Sequence, residues 1–99
     1  MIKLARVHVA APGKTFELIA ALREAAGIAK GVTGLELTNF ISMGAQVGET
    51  VSVMNFSSME MFEEATVKLL TSKDWQLRTK KFEGLVVPGL SHDQLLRQI

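Results

Sequence analysis

The chain contains three stretches in which apolar and polar residues alternate with the period of two that is typical of β-strands. They are IKLARVHVA at residues 2–10, GLELTNFISMG at 34–44 and ETVSVMNF at 49–56. The second and third, joined by AQVG, predict a β-hairpin with a Gly-containing loop. A shorter apolar segment, GLVVPG at 84–89, predicts a fourth strand that Pro88 ends.

The segment between the first two strands repeats its apolar positions with the period of an α-helix. Residues 14–30 predict the first helix, and Gly31 is placed to end it. Its predicted buried stripe comprises Phe16, Ile19, Ala20, Leu22 and Ala26.

The second helical segment begins with Ser57 and Glu60, which are spaced as a capping box. The sequence TSKDW then interrupts it, and Thr71 or Ser72 can cap a further helical piece that ends near Phe82. The predicted buried stripe comprises Phe62, Ala65, Thr66 and Leu69.

The order β-α-β-β-α-β predicts a ferredoxin-like α+β fold, with a four-stranded antiparallel sheet and helices on one face. Ninety-nine residues is close to the commonest length of one domain, so we expect a single domain over residues 1–99. Residues 89–99 are expected to form a C-terminal tail with one or two helical turns capped by Ser91.

The alternation divides the strand residues into two faces. We expect the helices to cover Ala5, Val7, Val9, Leu35, Leu37, Ile41, Val51 and Val53. The opposite face then carries Leu4, Arg6, His8, Glu36, Thr38, Phe40, Ser42, Thr50, Ser52, Met54 and Phe56. That second set is too apolar for a wetted sheet and too polar for a dry core, because an unpaired buried guanidinium is costly. A covered surface around a mixed cavity, with Glu36 paired to Arg6, satisfies both conditions. Two open faces packed together around internal water are the alternative.

The composition excludes several classes of function. The chain has no cysteine, so disulfide scaffolds, thiol nucleophiles and thiolate zinc sites are excluded. Its net charge of +1 provides no broad field for nucleic acid or an anionic membrane. The N-terminus lacks a signal-like apolar run, and we expect a cytoplasmic protein. The apolar content of 47% favours a homo-oligomer that covers excess apolar surface.

Several sequence segments resemble the dimeric α+β barrel superfamily, and within it the NIPSNAP-like and antibiotic-biosynthesis-monooxygenase-like groups. The similar segments are PGK after the first strand, FELIAALREA, FSSMEMFEEA and SKDW, within residues 3–88. The resemblance implies that two ferredoxin-like subunits pack sheet against sheet and enclose a cavity. The superfamily includes cofactor-free oxygenases, haem-degrading enzymes, isomerases, decarboxylases and members without an assigned activity.

The resemblance carries over few site residues. Haem-degrading members use an Asn on the first strand, a Trp on the third and a His on the second helix. This chain has His8 on its first strand, no Trp on the third and no His between residues 9 and 91, which argues against haem degradation. Quinone-forming oxygenases favour Asn, Trp, Tyr and Arg around the cavity. Here only Arg6 and Asn39 or Asn55 can serve, because Tyr is absent and the single Trp lies in a helical segment.

Arg6 and His8 are the candidate catalytic residues. The ordinary pKa of histidine, near 6.5, suits a general acid or base at neutral pH. Arg6 would hold an enolate, phenolate or carboxylate. Contact with a ligand without catalysis, or a structural role beside an Arg–Glu pair, are the alternatives. The candidate ligand-binding residues are Glu36, Thr38, Phe40, Ser52, Met54, Phe56 and Trp75.

We therefore expect a homodimer that binds a small organic molecule, with no cofactor and no metal, and with neither nucleic acid nor a membrane as partner. One alternative is a cofactor-independent monooxygenase, cyclase or isomerase acting on an aromatic or polyketide-like compound. A purely structural or interaction domain is the other. His92 and the RTKK run at 78–81 are expected to be solvated.

Overall fold

The computed structural model describes residues 1–43 and 48–99 and shows an α+β ferredoxin-like fold. Its four-stranded antiparallel sheet has the order β2-β3-β1-β4. The loop predicted for AQVG lies, apart from Gly48, outside the described residues. The elements are β1 (Ile2–Val9), α1 (Thr15–Thr33), β2 (Leu37–Ile41), β3 (Glu49–Phe56), α2 (Met59–Leu70), α3 (Lys73–Phe82) and β4 (His92–Arg97).

The helix ends follow local capping chemistry. Helix α1 ends at Gly34, whose φ of 75° is in the left-handed region that glycine adopts at low cost, and not at Gly31 as predicted. Helix α2 is capped by Ser58, whose hydroxyl accepts the Met61 N–H at 3.2 Å, one residue after the predicted cap. The break before α3 is confirmed, with Ser72 as its N-cap.

The fourth strand differs from the prediction. Residues 84–89 contribute only an isolated bridge, between Val86 and Ala10. The strand β4 is formed by the tail that was expected to be helical, and it pairs with β1 from Ile2 to Val7. Both segments lie along the same edge of β1. Pro88 lacks the N–H that a ladder needs, so the chain leaves the edge and returns to it at β4.

The two faces of β1 and β3 are the reverse of the prediction. The helices cover Leu4, Arg6 and His8 of β1, together with Thr50, Ser52 and Met54 of β3. The predicted helix-facing residues Leu35 and Leu37 of the β2 segment are correctly assigned, whereas Ile41 has the predicted register but is 44% exposed and not covered. The open face instead carries Ala5, Val7, Val9, Thr38, Phe40, Val51 and Val53. A period of two shows which residues share a face, but the choice of the covered face depends on the helices.

Two apolar clusters hold the helices on the sheet. One joins Ala10 to Leu18, Leu22 and Ala25 of α1 and to Phe82 of α3. The other joins Ile2, Met54 and Phe56 to Ala65 of α2. Because Ile2 and Ala10 are at opposite ends of the same strand, the middle of β1 lies between the clusters.

The buried stripe of α1 is only partly as predicted. Leu22 is buried, whereas Phe16 is 86% exposed, and the buried set also includes Leu18, Ala25 and Ala29. Helix α1 is apolar on more than one side, so its period alone fits two overlapping stripes. For α2 the prediction is confirmed, with Ala65 buried and Phe62, Thr66 and Leu69 half-buried.

Over the described ranges, no helix has the length and apolar character needed to cross a membrane.

Candidate functional site

A cavity of about 120 Å³ lies between the sheet and the three helices. Its floor comes from neighbouring strand positions: Arg6 pairs in register with Ser52, and Met54 lies between Leu4 and Leu37. The helices close it from above. The lining residues are Leu4, Arg6, His8, Leu22, Leu37, Ser52, Met54, Thr66, Leu69, Leu70, Trp75 and Arg78.

The break between α2 and α3 forms one side of the cavity. Leu69 and Leu70 end α2, and Trp75 lies in the first turn of α3. The Gln76 side-chain amide donates to the Leu70 carbonyl at 2.7 Å and ties the two helices together. Leu70 is 63% exposed and also lines the cavity, so the cavity approaches the surface at this break.

Arg78 is the most unusual side chain of the site. It is only 9% exposed, and its guanidinium carbon lies 3.7 Å from the Trp75 ring centroid and 4.9 Å from that of Phe82. Its Nε is buried without a hydrogen-bond partner, and no carboxylate in the described part of the chain forms an ion pair with it. Burial, and secondarily the charge of Arg6, lowers the pKa of Arg78 to about 10, so it remains a cation at neutral pH.

Arg6 has the partner that Arg78 lacks. Its Nε and one terminal nitrogen donate to the two carboxylate oxygens of Asp93 on β4, at 2.7 and 2.9 Å. This bidentate bond raises the pKa of Arg6 and lowers the pKa of Asp93. The expected pair between Arg6 and Glu36 is therefore wrong. Glu36 is bonded to Lys30 at 2.9 Å, away from the cavity.

His8 is buried between the two arginines. The side chain is 8% exposed, its ring stacks on Phe82 at 5.4 Å, and its Nδ1 is buried without a hydrogen-bond partner. Burial lowers the pKa of His8, and the charges of Arg6 and Arg78 lower it further. The imidazole is therefore neutral at pH 7, with one nitrogen able to accept a proton.

Ser52 and Asn39 link the floor of the cavity to α1. The Ser52 hydroxyl donates to the Asn39 amide oxygen at 2.6 Å, and the Asn39 amide nitrogen donates to the Leu22 carbonyl at 3.0 Å. Asn39 was a candidate by resemblance, but both ends of its amide are bound to the protein. Asn55, the other candidate, pairs with Lys3 on the open face.

A second cleft, open to solvent, begins on the other side of the arginines. Its volume is about 470 Å³. Arg6, His8 and Arg78 line both spaces, so they separate an apolar cavity from a polar cleft. The remaining cleft residues are Thr79, Phe82, Val86, Ser91, His92 and Asp93.

The structure brings together some of the predicted site residues and separates others. Those that line the cavity are Arg6, His8, Ser52, Met54 and Trp75. Thr38 and Phe40 lie on the open face of the sheet, because they pair with Val53 and Val51. Phe56 packs edge-on against Phe62, 5.2 Å away, in the other apolar cluster. Arg6 and His8 face the helices, so the expectation that open sheet faces enclose them is wrong.

Arg78 and Asp93 were missed by the sequence analysis. Arg78 was placed on a solvated run, although Trp75 and Phe82 lie three residues before and four after it, on the same helical face. That spacing was a usable signal for an arginine packed against aromatic rings. Asp93 carried no such signal, because its tail was expected to be helical. Among the residues that the structure describes, no group of three or more His, Cys, Asp or Glu can hold a metal ion.

Solved structures with this fold include a NIPSNAP family protein of unknown function from Agrobacterium tumefaciens, with a TM-score of 0.80 and 20% identity over 97% of this chain and 86% of that one. An uncharacterized NIPSNAP domain protein from Burkholderia xenovorans has a TM-score of 0.83 and 14% identity, over 100% and 95%. A protein described as an antibiotic biosynthesis monooxygenase has a TM-score of 0.76 and 10% identity, over 100% and 99%. No family model and no curated protein matches the chain.

At these identities the likeness defines the fold alone. It confirms the predicted ferredoxin-like α+β fold, which solved NIPSNAP family proteins and an antibiotic biosynthesis monooxygenase share.

Proposed function

We propose that this protein binds a small organic molecule in the cavity between its sheet and its helices. The observation that carries the proposal is that two of the buried polar atoms without partners, His8 Nδ1 and Arg78 Nε, belong to residues that line a largely apolar cavity. Buried polar groups in native proteins are normally hydrogen-bonded. Two such groups without partners, both on residues of one cavity, therefore favour a ligand that binds there.

The size of the cavity limits the ligand. An apolar cavity of about 150 Å³ admits benzene, and the cavity here is about 120 Å³. The ligand, or the part of it that enters, is therefore a single ring or a branched chain of similar bulk. Larger compounds would have to extend into the open cleft beyond Arg78.

A substitution that fills the cavity tests the proposal. Thr66 lines the cavity from α2, whereas the next residue, Val67, is exposed. A set of monocyclic and branched compounds, neutral and charged, is titrated into ¹⁵N-labelled protein and amide shifts are followed. We expect shifts around the cavity in the wild type and in Val67→Trp, and their loss in Thr66→Trp. If no compound of the set shifts these amides in the wild type, the structural alternative replaces the proposal.

We also propose that a second copy of the chain covers the open face of the sheet. Ala5, Val7 and Val53 lie side by side on that face, and Phe40 beside them is 55% exposed. Two such faces can pack as aligned sheets and remove this apolar surface from water. Each copy would keep its own cavity on the helix side.

A second candidate function is cofactor-independent isomerisation of a carbonyl compound. The observation that favours it is a neutral imidazole flanked by two guanidinium groups. His8 would take a proton from the carbon next to the carbonyl, and the electron pair of that C–H bond would form an enolate held by Arg78. His8 would exchange this proton with solvent and then return a proton to another carbon, so no oxidant is consumed. Exchange of substrate protons with deuterated water, lost in His8→Asn, is the expected readout.

A further inference from the structure

The charges around the cavity do not balance. Arg6 and Arg78 are cations, and the carboxylate of Asp93 is bonded to Arg6. Arg78 is the less exposed of the two at 9%, it packs against the aromatic rings of Trp75 and Phe82, and it forms no ion pair with a described residue. A buried charge without a counter-ion is unfavourable, and stacking on aromatic rings offsets only part of that penalty.

The geometry of Arg78 leaves its donors available. The aromatic rings of Trp75 and Phe82 contact the guanidinium group, and stacking of this kind covers the faces of the planar group. The N–H bonds point outward in the plane, where a planar oxyanion can accept two of them side by side. The Nε donor is buried without a partner, and no side-chain hydrogen bond joins the Arg78 guanidinium to another described residue.

The surroundings favour a single negative charge with an apolar body. Arg78 has no ion-pair partner among the described residues, and most of the cavity wall consists of leucine, methionine and tryptophan side chains. A dianion such as a phosphate ester would bring a second charge, and the other arginine in the described lining, Arg6, is already paired with Asp93. The volume of about 120 Å³ corresponds to a body of ring size.

We infer that the ligand is a compact monoanion, a carboxylate or an enolate-type oxyanion on a ring-sized apolar body, and that Arg78 is the residue that anchors it. This inference rests on the proposed function, since it assumes that the cavity between sheet and helices is the binding site. The oxyanion lies against Arg78 at the boundary of cavity and cleft, and the apolar body lies among Leu22, Leu69 and Met54. His8 contributes a further polar contact to the same anion.

Benzoate and benzamide test the inference, because they have nearly the same shape and differ in charge. Both are titrated by calorimetry and by amide shifts into the wild-type protein. We expect benzoate to bind about tenfold or more tightly than benzamide, as a charged hydrogen bond allows. In Arg78→Gln the two affinities should become equal. Lys80→Gln, which removes an exposed cation from the same helix, should keep the preference.

The outcomes separate this inference from the proposed function. Equal binding of benzoate and benzamide at the cavity overturns the anion selectivity and leaves small-molecule binding intact. If another compound of the test set binds at the cavity and neither benzoate nor benzamide does, the inferred class of ligand, a ring-sized monoanion, is wrong. If none of the compounds binds, both proposals are wrong. Should Arg78→Gln fail to fold, Arg78→Lys keeps the charge without the planar donors, and a weakened benzoate preference is then expected.

Discussion

The guanidinium carbon of Arg78 lies 3.7 Å from the centroid of the Trp75 ring, one turn earlier on α3, so the ring packs against the face of the guanidinium group. An aromatic face attracts a cation more weakly than an anion does, and it does not neutralise the charge. The arginine can therefore be buried in the free protein and still attract an oxyanion.

A double-mutant cycle at these two residues measures the contact. We expect Trp75→Leu and Arg78→Met to be coupled by about 0.5–2 kcal/mol in the free energy of unfolding, the range of buried cation–π pairs. Urea denaturation of the wild type, the two single variants and the double variant gives the value. A double-mutant cycle between Trp75 and exposed Lys80 serves as the control. If the effects of Trp75→Leu and Arg78→Met on the free energy of unfolding were simply additive, the stacking contact would contribute no stability.

Asp93 occupies the donors of Arg6, and we expect this pair to keep Arg6 from binding the proposed ligand. In Asp93→Asn the Arg6 guanidinium loses its counter-ion and the site gains a second uncompensated cation. We expect benzoate affinity to rise several-fold, while the free energy of unfolding falls by no more than about 1 kcal/mol because the pair is half-exposed. Calorimetry on Asp93→Asn checks both the benzoate affinity and the free energy of unfolding. Asp74→Asn is the control, because Asp74 is an acidic residue on α3 outside the site. Unchanged affinity in Asp93→Asn would mean that Arg6 does not reach the ligand.

The stability of the protein should depend on His8 in mildly acidic solution. Burial and the neighbouring Arg6 and Arg78 lower the pKa of His8 in the folded state, against the weaker opposing effect of Asp93. The unfolded chain then binds a proton more readily than the folded protein, so stability is complete above about pH 6.5 and falls as the pH decreases below it. Denaturation midpoints between pH 7.5 and 5 should decline in the wild type. In His8→Asn this decline should be smaller, and an identical profile would refute the assignment.

The open face of the sheet predicts the oligomeric state. Size-exclusion chromatography with light scattering should give a dimer for the wild type and a monomer for Phe40→Glu, because a carboxylate on this face cannot be buried without a partner. Phe16→Glu provides a matched control, since Phe16 is 86% exposed on α1 and away from the sheet. A wild-type protein that elutes as a stable monomer would exclude the sheet-to-sheet dimer.

Local features of the fold could be predicted from the sequence, and long-range ones could not. The cap of α3 and the buried position of Ala65 depend on residues a turn away; the cap was narrowed correctly to Thr71 or Ser72, and Ala65 was predicted correctly. The face of β1 that is covered depends on where the helices pack. The sequence analysis assigned the helices to the face with Ala5, Val7 and Val9, because all three residues are apolar. That face is the open one, whereas the helices cover the polar pair Arg6 and His8.

The site shows the same division. Arg6 and His8 were identified because their polarity interrupts a β-strand pattern, which is visible in the sequence itself. The ion pair between Arg6 and Asp93 joins residues 87 positions apart and depends on β4, whose sequence also suits a helix. The role of Arg78 depends on the absence of a carboxylate near it, and only the folded arrangement reveals such an absence.

The strand β4 holds the counter-ion of Arg6 but contributes no residue to either apolar cluster. We therefore expect removal of the last nine residues to leave the helices packed on β1. It would raise the number of uncompensated cations at the cavity from one, Arg78, to two, Arg78 and Arg6. If the cavity binds anions as we propose, the acidic side chain of β4 would limit their affinity, and release of β4 from the sheet edge would increase it.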